Sequence, residues 1–500
     1  MDNTYEGYKN HLQKIAHINS SIALLNWDEA VYMPKNGLEI RACQLSTLCT
    51  IVHELSTSPE FENLVNHLLE KSSFGFKETR NLEETREAIQ ENKKLPLEYV
   101  QKAAIARSES FKKWEEARGE EDFQIFAPYL KNIVDLEREK SELLGYQEHP
   151  YDALLNLYEK NLTVSKLENI FSQVKSQIVP LIKQIAHQPQ VDDGFLYQNF
   201  DGDKQFDFSV DLLKLMEYNL DAGRQDISTH PFTNHISSQD VRLTTRIKEN
   251  DIAEVIWSTI HEGGHGLYEQ GISISDYGLP SGESVSLGIH ESQSRIWENN
   301  VGRALPWWKF LYPKLQEAFP NQFAEVGLSD FYKAINKVQP SLIRTSADEL
   351  TYHVHVMIRY EIEKALLEGE VEVEDLEELW NQKYMDYLGV RPSKPTEGIL
   401  QDIHWSHGSL GYFPTYSLGS FYAAQFYAQA KKELPDLESQ LELGEVSNFL
   451  ALLRKNIHQH GKLYTAEQLS ERFTGESLNI KHFVAYAKEK YGAIYGFSPD

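Results

Sequence analysis

The sequence predicts an all-α protein that carries one small β-sheet. Apolar and charged residues alternate at spacings of three and four along most of the chain, which is the periodicity of amphipathic helices. One stretch, from about Gln188 to Asn250, breaks this pattern with short runs separated by Gly, Asp, Asn and Pro. No internal repeat and no linker rich in Ser, Gly or Pro divides the 500 residues. We therefore expect a single domain over residues 1–500.

Composition limits the possible partners. The chain holds 49 basic and 75 acidic residues, a net charge of −26, which repels phosphate backbones and anionic lipid surfaces. Neither nucleic acid nor a membrane is an expected partner. No window approaches the roughly 18 apolar residues of a membrane span, and the N-terminus lacks the pattern of a secretory signal. We expect a soluble, cytoplasmic protein.

Several segments can be assigned in chain order. Cys43 and Cys49, six positions apart on a predicted helix, are poorly placed for a disulfide or a metal site and are expected to be reduced thiols. The charge-dense residues 76–120 favour a solvated helical hairpin, with a coiled coil as the alternative. The segment that begins at Lys166 has the pattern of an amphipathic helix. The runs GFLYQNF, at 194–200, and SSQDVRLTTRIK suggest strands of the small sheet.

The segment DIAEVIWSTIHEGGHGLYEQG predicts a helix that begins after Asp251 as N-cap and ends at Gly271. His261 and His265 are four positions apart, which places both imidazoles on one helix face about one turn apart. Two nitrogens in this arrangement can bind one Zn²⁺. Glu262 follows the first histidine, so its carboxylate is displaced around the helix and can act as a general base.

A catalytic zinc takes three protein ligands and leaves one position open. The segment GIHESQSRIWENN predicts a new helix, and Glu291 in its first turn would face the metal if that helix runs antiparallel to the first. Three further glutamates and a histidine compete for this position: Glu269, Glu283, Glu298 and His290.

Gly263 and Gly264 are unusual inside a helix, because each glycine costs about 1 kcal/mol relative to alanine. Small residues beside a metal let a substrate backbone or a neighbouring element come close. We interpret them as room for substrate.

Two arginines could bind the terminal carboxylate of a peptide, since a guanidinium binds carboxylates in a bidentate manner. Arg242 lies in the strand-like region and Arg344 precedes a predicted helix. The simpler expectations are a solvated strand charge or an ion pair with Asp240 for the first arginine, and an ion pair with Asp348 for the second.

A glycine-interrupted segment, GILQDIHWSHGSLGYFPTYSLGSF, brings polar aromatic residues together. His404, His407, Tyr412 and Tyr416 lie within it. A phenol or an imidazolium at a zinc site can donate a hydrogen bond to the oxyanion of a tetrahedral intermediate. Alternatively, these side chains fill the edge of a core with their polar tips satisfied.

Five short signatures occur in order along the chain: DVRLT at 240–244, HEGGH at 261–265, HESQ at 290–293, IRTSAD at 343–348 and GILQDIHW at 398–405. Together they closely resemble the carboxypeptidase Taq family of metallocarboxypeptidases, and LLNWDEAVYMPKNG from Leu24 extends the resemblance over nearly the whole chain. The resemblance implies a helical, neurolysin-like peptidase fold with a deep cleft, related also to angiotensin-converting enzyme, and a homodimer.

The resemblance also assigns residues. It implies His261, His265 and Glu291 as zinc ligands and Glu262 as the general base. The arginines of two signatures, Arg242 and Arg344, are implied in recognition of the substrate's terminus.

Of the two tyrosines, the resemblance favours Tyr416 over Tyr412 for stabilising the intermediate. His407 is a further candidate for substrate binding.

The sequence therefore predicts a zinc-dependent metallocarboxypeptidase that hydrolyses the C-terminal bond of peptides with broad specificity. Co²⁺ or Mn²⁺ are possible substitutes for zinc at a His/His/Glu set. Two alternatives remain open at this point. One is an endopeptidase or dipeptidyl-peptidase that uses the same site, and the other is a non-catalytic binding protein in which zinc is structural.

Overall fold

The computed structural model describes residues 4–71 and 73–497, which form 22 α-helices and three β-strands. This confirms the prediction of an all-α fold with one small sheet. The helices, α1 to α22 in chain order, span Tyr5–Val31, Leu38–Ser56, Pro59–Leu69, Phe76–Lys94, Leu97–Glu120, Ala127–Leu144, Pro150–Leu155, Val164–Gln173, Val179–Ala186, Gly202–Leu215, Ile252–Gly271, Leu287–Arg295, Leu305–Ala318, Pro320–Phe323, Leu328–Ile335, Thr351–Glu368, Leu376–Leu388, Pro414–Glu433, Leu437–Glu442, Ser447–Asn456, Ala466–Thr474 and Lys481–Tyr495. The strands β1, β2 and β3 span Gly223–Ile227, Thr233–Ser237 and Asp240–Thr245.

Helix α11 begins and ends where the sequence predicts. The Asp251 carboxylate accepts a hydrogen bond from the backbone N–H of Ala253 at 3.1 Å and caps the first turn. The amphipathic segment from Lys166 is also helical, but it divides into α8 and α9 at one wider turn, Val174–Ile178, close to Pro180. Proline lacks the backbone N–H that a regular helix requires, so a local change of winding is expected there.

The sheet has the order β1-β3-β2, with β1 parallel and β2 antiparallel to β3. Strand β3 confirms the strand expected in SSQDVRLTTRIK. The run GFLYQNF is not a strand, because its first residues form the short turn Gly194–Leu196. Helix α10, which follows it, was not predicted at all.

The charge-dense residues 76–120 form the two helices α4 and α5, and α4 is not solvated on all sides. Helix α4 buries Leu82 and Ile89 in a hydrophobic cluster with Tyr8 and Phe61, and α5 packs against α6. Enough apolar residues at helical spacing are therefore present to bury one face of α4, despite its many charges.

The chain folds into two compact units, and each is built from three segments. Unit 1 comprises Met1–Asn92, Asp192–Ile335 and Tyr422–Leu478, and unit 2 comprises Lys93–Val191, Asn336–Phe421 and Asn479–Asp500. That residues 1–500 act as one domain stays a prediction.

In unit 1, α11 packs against α10, α12 and strands β2 and β3, and twelve of its residues are buried. In unit 2, α16 packs against α6, α7 and α17 and is buried continuously from Thr351 to Tyr360. Each unit therefore has one helix at its centre.

Cys43 and Cys49 form no disulfide, as the sequence predicts, and both are exposed. None of the helices within residues 4–71 and 73–497 combines the length and the apolar character needed to cross a membrane.

Candidate metal centre and active site

Two histidines of α11 and one glutamate of α12 converge in unit 1. Glu291 Oε2 lies 3.7 Å from His261 Nε2 and 3.5 Å from His265 Nε2. The three ligand atoms lie within 4.8 Å of one another, and no other group of this kind occurs among the described residues. The structure thus brings together the three residues that the sequence singled out as metal ligands.

The two glycines of α11 allow its neighbours to pack closely. A Cβ atom on Gly264 would lie 2.6 Å from the backbone oxygen of Gln293 and 2.8 Å from Cα of Ser294, both on α12. A Cβ atom on Gly263 would lie 2.9 Å from side-chain atoms of Leu213 and Met216. The interpretation of these glycines as room for substrate is therefore wrong. They let a neighbouring element approach, and this contact brings Glu291 to the histidines.

The charge states of two of the three donors, His265 and Glu291, fit a divalent metal ion. Burial lowers the pKa of His265 to about 3, and the nearby His290 contributes in the same direction, so the imidazole stays neutral. Burial alone would raise the pKa of Glu291, but Arg295 and His261 outweigh it and hold the pKa well below its usual range. A neutral imidazole nitrogen and a carboxylate oxygen are ligands that zinc accepts.

Glu298 supports the site without joining it. Its Oε2 atom lies 2.9 Å from Nδ1 of His261 and accepts a hydrogen bond from Nη1 of Arg295 at 3.1 Å. Arg295 also donates through Nε to Oε1 of Glu291 at 2.7 Å. A carboxylate on the second nitrogen of a ligand histidine fixes its orientation and raises its basicity. Sequence reasoning considered Glu298 only as a rival ligand and missed this role.

The other rival ligands have different partners. Glu269 Oε1 lies 2.7 Å from Nε2 of His290, and its Oε2 lies 2.8 Å from Nδ1 of His235 on β2. Glu283 forms an ion pair of 2.5 Å with Lys462. These contacts favour Glu291 as the third ligand.

Glu262 is buried beside the metal-ligand group, and its Oε2 accepts a hydrogen bond of 2.6 Å from Oγ1 of Thr233 on β2. Burial raises the pKa of Glu262, although His261 and the Thr233 hydroxyl oppose the shift. The sequence carried no signal for Thr233, because that contact depends on how the sheet packs on α11.

Arg242 lies on β3 in unit 1. Its Nε and Nη2 atoms each donate to a carboxylate oxygen of Asp240 at 2.8 Å, and the guanidinium lies 5.9 Å from the centre of the Trp27 ring. The ion pair with Asp240 that the sequence offered as the simpler expectation is present.

Arg344 lies in unit 2 and is only 6 % exposed. Its Nε and Nη2 atoms donate to Oδ1 of Asp402 at 3.1 and 2.8 Å. The prediction that Arg344 forms an ion pair with Asp348 is wrong. The Asp348 carboxylate instead accepts hydrogen bonds from Thr351 at the start of α16. Asp402 belongs to the GILQDIHW signature, so a signal for it existed in the sequence.

The polar aromatic residues of unit 2 surround Arg344. Its guanidinium carbon lies 5.0 Å from the centre of the Tyr416 ring, and the Tyr416 hydroxyl lies 3.2 Å from Nε2 of His404. Burial lowers the pKa of His404 to about 4. Tyr412 is part of the same cluster, with its ring 5.3 Å from that of Tyr416.

His407 is exposed and stacks on Phe111, with 5.2 Å between the ring centres. His404, Tyr412 and Tyr416 belong to the cluster around Arg344. His407, the fourth residue that the sequence singled out in this segment, lies outside that cluster.

Two histidines one helical turn apart, a glutamate after the first of them and a carboxylate from the next helix define a class, that of the metallopeptidases. A family model described as carboxypeptidase Taq (M32) metallopeptidase matches residues 7–491. The chain belongs to this family, which confirms the resemblance given by the five signatures.

Known relatives agree over nearly the full length. The chain is 42 % identical to carboxypeptidase 1 of Bacillus subtilis (strain 168), covering 97 % of each chain. It is 40 % identical to thermostable carboxypeptidase 1 of Thermus thermophilus, covering 98 % of this chain and 99 % of that protein. The crystal structure of an M32 carboxypeptidase from Deinococcus radiodurans R1 matches with a TM-score of 0.97 at 34 % identity, over 99 % of this chain and all of the other. The predicted enzyme class, a metallocarboxypeptidase, is thereby confirmed.

Proposed function

We propose that this protein is a zinc-dependent carboxypeptidase that releases residues from the C-termini of peptides with broad specificity. The observation that carries the proposal is the convergence of His261, His265 and Glu291 next to the buried carboxylate of Glu262. A structural zinc site is normally closed by four protein ligands, whereas a catalytic site has three and keeps one position open.

Zinc, when bound, would supply a Lewis acid that polarises the scissile carbonyl and lowers the pKa of water. Glu262 takes the proton from the attacking water and delivers it to the leaving amine. Because burial raises the pKa of Glu262, the carboxylate is a stronger base than an exposed glutamate. The Thr233 hydroxyl holds one of its oxygens in place and leaves the other available to accept the proton.

Substrate recognition would use the cations and phenols that the family resemblance assigns. Arg344 and Arg242 bind the terminal carboxylate, Tyr416 donates to the oxyanion and His407 contacts the substrate. The packing of Arg344 against Asp402 and Tyr416 supports a fixed orientation for this guanidinium.

The proposal extends to the oligomeric state, the location and the partners of the protein. The proposal includes a homodimer in the cytoplasm that acts on peptides and has neither nucleic acid nor a membrane as partner. Co²⁺ and Mn²⁺ would also support activity, because a His/His/Glu set does not distinguish strictly among these ions.

The substitution Glu262→Gln tests the general base. We expect zinc content to be unchanged and turnover to fall by several orders of magnitude, since an amide cannot take up the proton. Glu254→Gln, in the first turn of the same helix, serves as the control and should keep its activity. Near-normal turnover of Glu262→Gln would overturn the assignment.

Mass spectrometry of the products from a ladder of peptides tests the specificity. Single residues lost from the C-terminus support a carboxypeptidase. Internal fragments would support an endopeptidase, and dipeptides a dipeptidyl-peptidase. If the zinc-loaded wild type cleaves none of the peptides, the remaining alternative is a non-catalytic binding protein.

A further inference from the structure

Glu363 of unit 2 is a buried carboxylate outside the group of proposed metal ligands. It lies on α16 one turn after Arg359, and both residues are fully buried. A glutamate without contact to solvent is costly unless its oxygens accept hydrogen bonds.

Three donors meet at this carboxylate. Trp405 donates through Nε1 to Oε1 at 2.7 Å, and the backbone N–H of Gly411 donates to Oε2 at 2.9 Å. The hydroxyl of Tyr151, on α7, also donates to Oε2. Two of the three donors belong to one segment, residues 398–412, which we call the signature loop because it contains GILQDIHW.

Helix α16 also contacts the signature loop through Arg359, one turn before Glu363. Arg359 donates through Nε to Oδ2 of Asp402 at 2.6 Å, and its Nη2 lies 2.5 Å from the same oxygen. Helix α16 therefore binds the loop at Asp402 through a guanidinium, and at Trp405 and Gly411 through the carboxyl group of Glu363.

The conformation of the loop at Gly411 suits this contact. Gly411 has a φ of +95°, which residues with a side chain rarely adopt. A Cβ atom there would also lie 3.1 Å from backbone atoms of Leu154 on α7. Glycine lets the chain pass close to α7 and direct its N–H at Glu363.

The signature loop in turn positions the side chains proposed to bind substrate. Oε1 of Gln401 accepts a hydrogen bond from the backbone N–H of Arg344 at 2.9 Å, and Asp402 binds its guanidinium. His404 contacts the hydroxyl of Tyr416. A shift of the loop would move the partners of both Arg344 and Tyr416.

We propose that Glu363 is a positioning residue for substrate binding, which acts by holding the signature loop through Trp405 and Gly411. This inference rests on the proposed function, because it assumes that Arg344 binds the substrate's carboxylate. Glu363 itself is fully buried and touches no substrate. Burial raises its pKa to about 7 even though all three donors favour the charged form, which agrees with an enclosed site.

Two variants remove single hydrogen bonds and leave the rest of unit 2 in place. Trp405→Phe removes the indole donor. Glu363→Gln keeps one acceptor oxygen but replaces the other with an NH2 donor, which opposes the N–H of either Trp405 or Gly411. Glu368→Gln, near the end of the same helix and paired with His149, is the matched control.

We expect KM to rise by about tenfold in Trp405→Phe and Glu363→Gln, because a buried donor or acceptor is left without its partner. Metal content should be unchanged, since the ligands lie in unit 1. Glu363→Ala should show a larger rise than Glu363→Gln if it folds. A purely structural role would lower the active fraction and hence the apparent kcat without changing KM. An unchanged KM in both Trp405→Phe and Glu363→Gln would overturn the inference.

A double-mutant cycle with Arg344→Ala separates the inference from the proposed function. If Glu363 acts through the loop on Arg344, Glu363→Gln should raise KM in the wild-type background and have little further effect in Arg344→Ala. Equal effects in the two backgrounds would contradict the inference. If Arg344→Ala alone leaves KM unchanged, it is the proposed role of Arg344 that fails.

Discussion

At the scale of single residues, Glu298 lies next to the proposed metal ligands, and we expect it to contribute to metal binding. It contacts Nδ1 of His261 and is held by Arg295 and Arg303. Replacing Glu298 with Gln removes the negative charge that raises the basicity of the imidazole. We expect the affinity for zinc to fall by about 10- to 100-fold.

Competition with a chromophoric chelator would measure this change in affinity. Glu283→Gln is a suitable control, because Glu283 lies in the same unit but is paired with Lys462. If zinc binds Glu298→Gln as tightly as the wild type, the contact does not tune the ligand.

Residues whose positions follow from local geometry could be predicted from the sequence. His261 and His265 lie on one face because four positions make about one helical turn, and Glu262 is placed by the same helix. The choice of ionic partners could not be predicted in this way. Arg344 pairs with Asp402, 58 positions away, and not with the nearby Asp348, whose oxygens cap a helix.

At the scale of elements, the contact between α11 and α12 depends on Gly264. Replacing it with Ala adds a Cβ atom 2.6 Å from the backbone oxygen of Gln293, which cannot rotate away. Alanine favours a helix by about 1 kcal/mol relative to glycine, but overpacking against a backbone typically costs 1–3 kcal/mol. We expect a net loss of stability and weaker zinc binding, because Glu291 moves away with α12.

Gly119→Ala provides the comparison, since Gly119 lies on α5 and nothing lies within 4 Å of its added Cβ atom. That variant should be neutral or slightly stabilised in chemical denaturation. A gain in stability for Gly264→Ala, equal to that for Gly119→Ala, would show that α11 and α12 are not in close contact there.

The elements themselves were predictable where one periodicity dominates. Helix α11 has an N-cap at Asp251 and a continuous helical pattern, and the structure reproduces both ends. Helix α10 was missed because GDKQFDFSVDLLKL starts with polar residues and places Phe206, Phe208 and Val210 at alternate positions, as in a strand. Its helical conformation is stabilised by packing on α11, which the local sequence does not report.

At the scale of the whole molecule, metal binding should contribute to stability as well as to activity. The ligands come from two helices, and a metal that binds only the folded state stabilises it by about 2.7 kcal/mol at a hundredfold excess over Kd. Treatment with a chelator should therefore lower Tm and abolish peptide hydrolysis. Added zinc should restore both.

Differential scanning calorimetry would measure the change in Tm, and a peptidase assay on the same samples would measure the change in peptide hydrolysis. Glu262→Gln should show the same change in Tm without activity, which separates binding from catalysis. A Tm that does not respond to the chelator would indicate that the metal contributes nothing to folding.

The division of each unit into three chain segments has a consequence for biosynthesis. All three proposed metal ligands and Glu262 lie in the middle segment of unit 1, so they leave the ribosome close together. Unit 2 lacks α22 until the last segment emerges, and Lys490 and Tyr491 of that helix bind the buried Glu349. A nascent chain stalled before residue 479 thus has every proposed metal ligand but leaves Glu349 without those two partners. No single cut of the chain yields either unit intact.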